Sequence, residues 1–338
     1  MLNVNQTSQL LTQMENSKRI VCVCHDNPDG DAIGSMLGLS LILKENFKDK
    51  EIISACKDQA PASFKFIKSV ESIKNIINPQ SGDLFFFLDS AEPKLISFHE
   101  IHPYLFSPET TKEKGISTIK ADHHPSGSEF GQINFLDPEA ASTCEIVVDM
   151  MDAVDFKINT DAATALLTGI YTDTGSMMHS NTSQRVYRTS ARLLRAGADQ
   201  KKIVENVYRT TKPSSLRLWG KVLEKISITP EGGAVSAVTM SDFRSTGSHF
   251  SELNGAIDYL NSIPGMKFSM ILSERDGKVK GSLRTLREDV DVSAMAQKFS
   301  GGGHKKAAGF SLDGTLEEER RWKVVPGDAS TRTSTNSG

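Results

Sequence analysis

The sequence predicts an α/β protein: an N-terminal, doubly wound, mostly parallel sheet followed by a smaller C-terminal α/β domain. Three observations carry this expectation. Apolar runs of strand length alternate with helix-like segments through roughly the first two hundred residues, the order expected of a parallel sheet. A polar cluster follows directly on each of several of these apolar elements. The length, 338 residues, exceeds a typical single domain and suggests two.

The first element is the apolar run at 20–24, read as a buried strand. It leads into His25-Asp26-Asn27-Pro28-Asp29-Gly30-Asp31, and a helix-like segment at 32–38 follows at once. In open α/β sheets such a strand-to-helix turn lies beyond the carboxyl end of the strand, where ligands bind. Asp29 and Asp31 are too close in sequence to ionise side by side without repulsion, which a divalent cation would relieve. The second strand-like run, 84–88, ends at Asp89, and its three phenylalanines, Phe85, Phe86 and Phe87, read as sheet core. A third, at 115–121, ends at Asp122-His123-His124. Ser142 or Thr143 opposite Glu145 marks the capped start of a helix at 142–151. A helix-like segment begins near Asp161 and leads to Asp173, and another at 189–196 is closed by Gly197. After a change of composition at 230–233, the runs at 234–238 and 268–272 read as strands of the second domain.

The polar clusters together hold three histidines and five carboxylates: His25, Asp29, Asp31, Asp89, Asp122, His123, His124 and Asp173. That exceeds the needs of one ion and suits two, about 3.5–4 Å apart. Mixed imidazole and carboxylate donors favour Mn2+ or a related transition ion over Mg2+. Without thiolates in the set, a structural zinc is disfavoured.

In this order the His25–Asp31 heptapeptide, the isolated Asp89, Asp122-His123-His124 and Asp173 resemble the four motifs of the DHH phosphoesterase superfamily. Gly301-Gly302-Gly303-His304, with Gly281-Ser282-Leu283-Arg284 upstream, is similar to the DHHA1 domain. The combination is most similar to the bifunctional oligoribonuclease and 3'-phosphoadenosine-5'-phosphate (pAp) phosphatase family. Phosphodiesterases of cyclic di-AMP and of linear pApA share the layout. The resemblance spans residues 19–312 and stops after Leu312, where Glu317-Glu318-Glu319-Arg320-Arg321 stands in place of the family's final strand and longer helix.

The resemblance implies that His25, Asp29 and Asp89 hold one Mn2+, and that Asp31, Asp89, His123 and Asp173 hold a second, with Asp89 bridging. Asp122 would then orient His123, as metal-bound histidines usually require. His124 would touch the phosphate or the leaving group, so His124 and Asp122 are the catalytic candidates. Arg284, Gly301, Gly302, Gly303 and His304 would bind substrate phosphate, because glycine backbone can approach an anion closely. It also implies a DHH domain at 1–205, a linker helix region at 206–230, a DHHA1 domain at 231–325, and an active-site cleft between the domains, while the Ser, Thr and Gly content of 326–338 reads as a disordered tail.

Composition narrows the function. A net charge of −3 and a pI near 6.3 oppose sequence-blind binding of long nucleic acid. The local run Lys278, Lys280, Arg284 and Arg287 suits a short substrate with a terminal phosphate, such as short RNA, pAp or a small nucleotide. No apolar run approaches the roughly 18–20 residues that span a membrane, and the polar start lacks the apolar segment of a secretory signal. Four cysteines, two inside a predicted buried strand, make no disulfide framework. These features point to a reduced, cytoplasmic protein, acting alone or as a homodimer. Manganese pyrophosphatases lack the Gly-Gly-Gly-His segment, and RecJ-type exonucleases carry a further nucleic-acid-binding domain. A silent nucleotide sensor would have lost a ligand, and none of the expected ligand positions is empty.

Overall fold

The computed structural model describes residues 4–125 and 127–317, and divides the chain into two compact units between Thr210 and Thr211. The charged run at 317–321, beyond its first residue, and the tail at 326–338 lie outside the described residues.

In the first unit β1 (Arg19–Cys24), β2 (Glu51–Ala55), β3 (Asp83–Leu88), β4 (Ser117–Asp122) and β5 (Ile133–Leu136) form one parallel sheet in the order β2-β1-β3-β4-β5. The strand order reverses between β1 and β3, so their carboxyl ends flank the sheet's switch point, where open α/β sheets bind ligands. Alternation along the strands fills both faces. Val21, Val23, Phe85 and Phe87 pack on one side with Ile96, Phe98, Leu105, Phe106 and Phe130. Ile20, Cys22, Leu84, Phe86, Leu88 and Ile119 join the larger core under the helices on the other. Burial on both faces explains why these strands are continuous apolar runs rather than alternating ones.

The helix Gly30–Asn46 sits at the centre of that larger core, with Gly30 to Leu43 all buried. It crosses the helix Thr160–Asp173 at very short range. A Cβ on Gly34 would lie 2.6 Å from the Ala165 carbonyl oxygen, and one on Gly169 would lie 2.7 Å from an Asp31 carboxylate oxygen. Only glycine permits that approach.

The second unit holds β6 (Ser227–Ile228), β7 (Gly233–Val238), β8 (Phe268–Arg275), β9 (Lys278–Arg284), β10 (Gly302–His304) and β11 (Ala307–Asp313), in the order β10-β11-β9-β8-β7-β6. The sheet is mixed, with β7 and β8 parallel and the other pairs antiparallel. The helix Pro213–Glu224, expected as a linker, packs Leu218 and Val222 into this unit's core beside Ala234, Val238 and Ile271. On the opposite face Leu283, Ala308 and Phe310 pack on Val292 and Ala296. The aromatic ring of Phe310 is thus part of a core. All four cysteines are buried free thiols. No helix among the described residues is long and apolar enough to cross a membrane.

The glycine crossing makes a direct prediction. Gly34→Val should destabilise the protein by about 1–3 kcal/mol in urea unfolding, the usual cost of overpacking. Gly220→Ala, where an added Cβ meets open space within a helix, should instead stabilise by about 0.5–1 kcal/mol. A Gly34→Val protein as stable as the parent would contradict the packing described.

Candidate metal centre

The four polar clusters expected from the sequence converge at the carboxyl rim of the first sheet. His25 follows β1, Asp89 follows β3, His123 and His124 follow β4, and Asp173 closes the helix Thr160–Asp173. Asp29 caps the helix Gly30–Asn46, its Oδ1 accepting from the Asp31 and Ala32 N–H groups at 3.0 and 3.1 Å. That leaves the Asp29 side chain at the mouth of the site, 61% exposed.

Asp89 lies at the centre. Its Oδ2 is 3.6 Å from His25 Nε2, and its Oδ1 is 3.6 Å from His123 Nε2. Each oxygen therefore faces a different set of donors. His25, Asp29 and Asp89 bring one ligand atom apiece within 4.8 Å of one another, and so do Asp31, His123 and Asp173. A third such trio, Asp89, His123 and His124, shares members with both. Asp89 is buried and has a φ of +56°, a left-handed conformation uncommon outside glycine and a local cost that functional sites tolerate.

The cluster carries more negative charge than the protein balances. Among the described residues, the ion pairs of Asp29, Asp31, Asp89 and Asp173 are with histidines alone. Burial, with Asp31 and Asp89 beside it, pushes the Asp173 carboxyl up to about 10. Burial and Asp89 likewise drive Asp31 well above its ordinary value. Burial opposes the charge on His25, yet Asp89, the Asp26 carbonyl and Asp29 outweigh it and raise the imidazole to about 9. Oxygen and nitrogen donors, gathered closely and short of positive charge, fit divalent cations.

Three parts of the site were not foreseen. The Asp31 carboxylate accepts from the Thr143 and Cys144 N–H groups at 2.5 and 3.0 Å, and Thr143 Oγ1 donates to Asp89 Oδ1 at 3.1 Å. The start of the helix Thr143–Ala153 therefore steadies two of the carboxylates, with the sign its dipole favours. The sequence revealed that helix start through its cap, but not what it faced. Secondly, Asp122 does not orient His123. Its Oδ1 accepts from His124 Nδ1 at 2.7 Å, while His123 points to Asp31, Asp89 and Asp173. The reason is local: β4 ends at Asp122, whose Oδ1 also accepts from the His124 N–H at 3.3 Å and so draws that residue back over it. Thirdly, Lys120 lies behind Asp122 with its Nζ 3.1 Å from Asp122 Oδ2, both side chains fully buried.

The remaining candidates belong to the second unit. Arg284, at the end of β9, lines a cavity of about 550 Å3 with Lys280, Arg275, Ser282, Ser273 and Asn254. Its Nη1 donates to the adjacent Leu283 carbonyl at 2.9 Å. Gly301 and Gly303 are required by the β10–β11 hairpin itself, since a Cβ on either would meet the Gly309 or Ala307 carbonyl oxygen at 2.3 or 2.5 Å. Gly302 alone faces open space. The role expected of the His304 side chain falls outside what the structure describes.

Comparison with known proteins identifies both parts of the chain. A model of the DHH family N-terminal domain matches residues 19–170, and one of the DHHA1 domain matches residues 232–324. The bifunctional oligoribonuclease and PAP phosphatase NrnA of Thermus thermophilus is 30% identical over 296 residues, covering 87% of this chain and 84% of that one. Its Bacillus subtilis namesake is 26% identical, covering 93% and 95%. The crystal structure of an exopolyphosphatase-related protein from Bacteroides fragilis superposes with a TM-score of 0.80 at 26% identity, covering 94% of both chains.

The charge imbalance is testable on metal-free protein. The folded Asp173 holds a proton that the unfolded chain releases near pH 3.8. Stability should therefore fall as pH rises from about 4 towards 10, wherever the folded state binds more protons. In chelator at pH 8, Asp173→Asn should be more stable than the parent by on the order of 1 kcal/mol, with a flatter pH profile. An Asp173→Asn protein less stable under those conditions would contradict the account.

Proposed function

We propose that this chain, which belongs to the DHH family and carries a DHHA1 domain, is a phosphoesterase that hydrolyses short oligoribonucleotides to mononucleotides and removes the 3'-phosphate of pAp. The observation that carries the proposal is the divided carboxylate of Asp89, one oxygen towards His25 and the other towards His123. It supports a centre of two Mn2+ ions, the first held by His25, Asp29 and Asp89, the second by Asp31, Asp89, His123 and Asp173. When bound, such a pair neutralises the phosphate oxygens and lowers the pKa of a water to be used as nucleophile.

The protein's own groups supply the rest. Asp89 shields the two cation sites from each other. The Thr143 and Cys144 N–H groups hold Asp31 in one orientation, so that its free lone pairs are presented consistently. The Asp122 carboxylate fixes Nδ1 of His124 as a donor and leaves Nε2 for the substrate. The Asp122 hydrogen bond also raises the His124 pKa above its ordinary value, against the effect of burial. His124 thus keeps a proton for a leaving oxygen more readily than a free imidazole would. Arg284 and the Gly301–His304 segment are the proposed phosphate readers. Arg284 shares its cavity with Lys280 and Arg275, a grouping of positive charge suited to a nucleotide phosphate.

Product analysis by chromatography tests the function, using a dinucleotide, pAp, pApA and cyclic di-AMP with Mn2+ or Mg2+. The expected result is mononucleotide from the dinucleotide and AMP from pAp, faster with Mn2+ and absent in excess chelator. Turnover of cyclic di-AMP alone would replace the proposed substrate class with the cyclic dinucleotide. Turnover in a metal-free sample would refute the mechanism.

Variants separate the roles. Asp89→Ala should lose both ions and essentially all activity. Arg284→Ala should keep its metal yet lose kcat/KM on the dinucleotide far more than on bis-p-nitrophenyl phosphate, which offers no second phosphate to hold. Equal losses on both substrates would remove Arg284 from phosphate recognition.

A further inference from the structure

A fully buried lysine stands directly behind the site. Lys120 lies within β4 with no exposed surface, and its ammonium has four neighbours. It donates to the Ser128 carbonyl at 2.8 Å and to the Ala91 carbonyl at 3.2 Å. It lies 3.1 Å from Asp122 Oδ2 and 4.7 Å from the centre of the Phe130 ring. Chain geometry is adapted to the pair, for a Cβ on Gly127 would sit 2.8 Å from Asp122 Oδ2 and 3.0 Å from Lys120 Nζ. Burying an ammonium is expensive, and an ion pair with it seldom adds net stability over an apolar side chain of similar volume. Core stability is thus a poor explanation for a lysine here.

Its contacts suggest another. Ala91 is two residues beyond Asp89, and Ser128 is four beyond His124, so the ammonium ties together the two segments that carry the centre of the site. Lys120 and Asp122 also share one side of β4, and His124, two residues past the strand end, folds back onto Asp122. Asp122 spends one oxygen on a hydrogen bond with His124; the other is buried without a hydrogen-bond partner among the described residues and has the Lys120 ammonium as its ion-pair partner at 3.1 Å. Without the ammonium, Oδ2 would face a buried carbonyl-lined space with nothing to hold it, and the carboxylate could turn away from His124.

We propose that Lys120 is a positioning residue of the hydrolysis, acting through Asp122 to set the orientation of His124. The inference rests on the proposed role of His124 at the leaving oxygen. The test compares wild type, Lys120→Met, His124→Ala and the double variant on a dinucleotide with Mn2+, with Gly127→Ala as a second way to disturb the same pair. Lys120→Met should lose about tenfold or more in kcat, within the usual effect of removing a group that supports a site residue. Its KM and bound manganese should stay within about twofold of wild type, and Gly127→Ala should show a smaller loss of the same kind. In the His124→Ala background Lys120→Met should cost nothing further, because both changes disable one unit.

If Lys120→Met does not fold, Gly127→Ala alone and in the His124→Ala background answers the same question. Multiplying losses in the double variants, or a Lys120→Met enzyme as active as wild type, would overturn the inference while leaving His124 in place. A fully active His124→Ala enzyme would remove the role of His124 and this inference with it.

Discussion

Gathering five carboxylates at one sheet rim is electrostatically costly, and much of the first unit is arranged around that constraint. Asp31 and Asp89 are buried, and the imidazoles beside them cannot balance the whole set. Three of the five are instead held by specific devices. Backbone N–H groups of the helix Thr143–Ala153 serve Asp31, the Thr143 hydroxyl serves Asp89, and Lys120 with His124 serves Asp122. Among the described residues Asp173 has no such donor, and burial with Asp31 and Asp89 beside it pushes its carboxyl up to about 10. The imbalance is an unfavourable feature of the protein alone and a favourable one for a cation.

The fold delivers these groups through two adaptations. A parallel sheet with a switch point places the ends of β1 and β3 side by side, so His25 and Asp89 face each other across the reversal. The second adaptation is the close crossing of the helices Gly30–Asn46 and Thr160–Asp173. Glycine at 34 and 169 lets the backbones approach, which sets Asp31 at the start of one helix near Asp173 at the end of the other. Packing and function are therefore coupled at these glycines, and a larger side chain at 169 would press on Asp31 itself.

Much of this could be read from the sequence, for physical reasons. Each site motif follows an apolar run, and apolar runs of strand length end at a sheet rim, so convergence was a consequence of the fold class. The helix beginning at Thr143 was legible through its Ser142 cap, which accepts from the Glu145 N–H group. Contacts made by backbone donors leave no residue signature, so the attachment of Asp31 to Thr143 and Cys144 was invisible. Strand alternation puts Lys120 and Asp122 on one side of β4, and the pairing of Asp122 with His124 is a local contact made just past the strand end. It was masked by the expectation, carried by the family resemblance, that Asp122 supports His123. Lys120 was hidden because a lysine in a strand ordinarily reads as exposed. Gly301 and Gly303 read as an anion loop, though the β10–β11 hairpin by itself requires both.

The role proposed for Asp89 is to organise a site for two cations. Diffraction at the manganese absorption edge, from crystals of the full chain grown with Mn2+, measures this most directly. The account predicts two anomalous peaks, one beside each oxygen of the Asp89 carboxylate. A single peak, or peaks that do not contact Asp89, would contradict it.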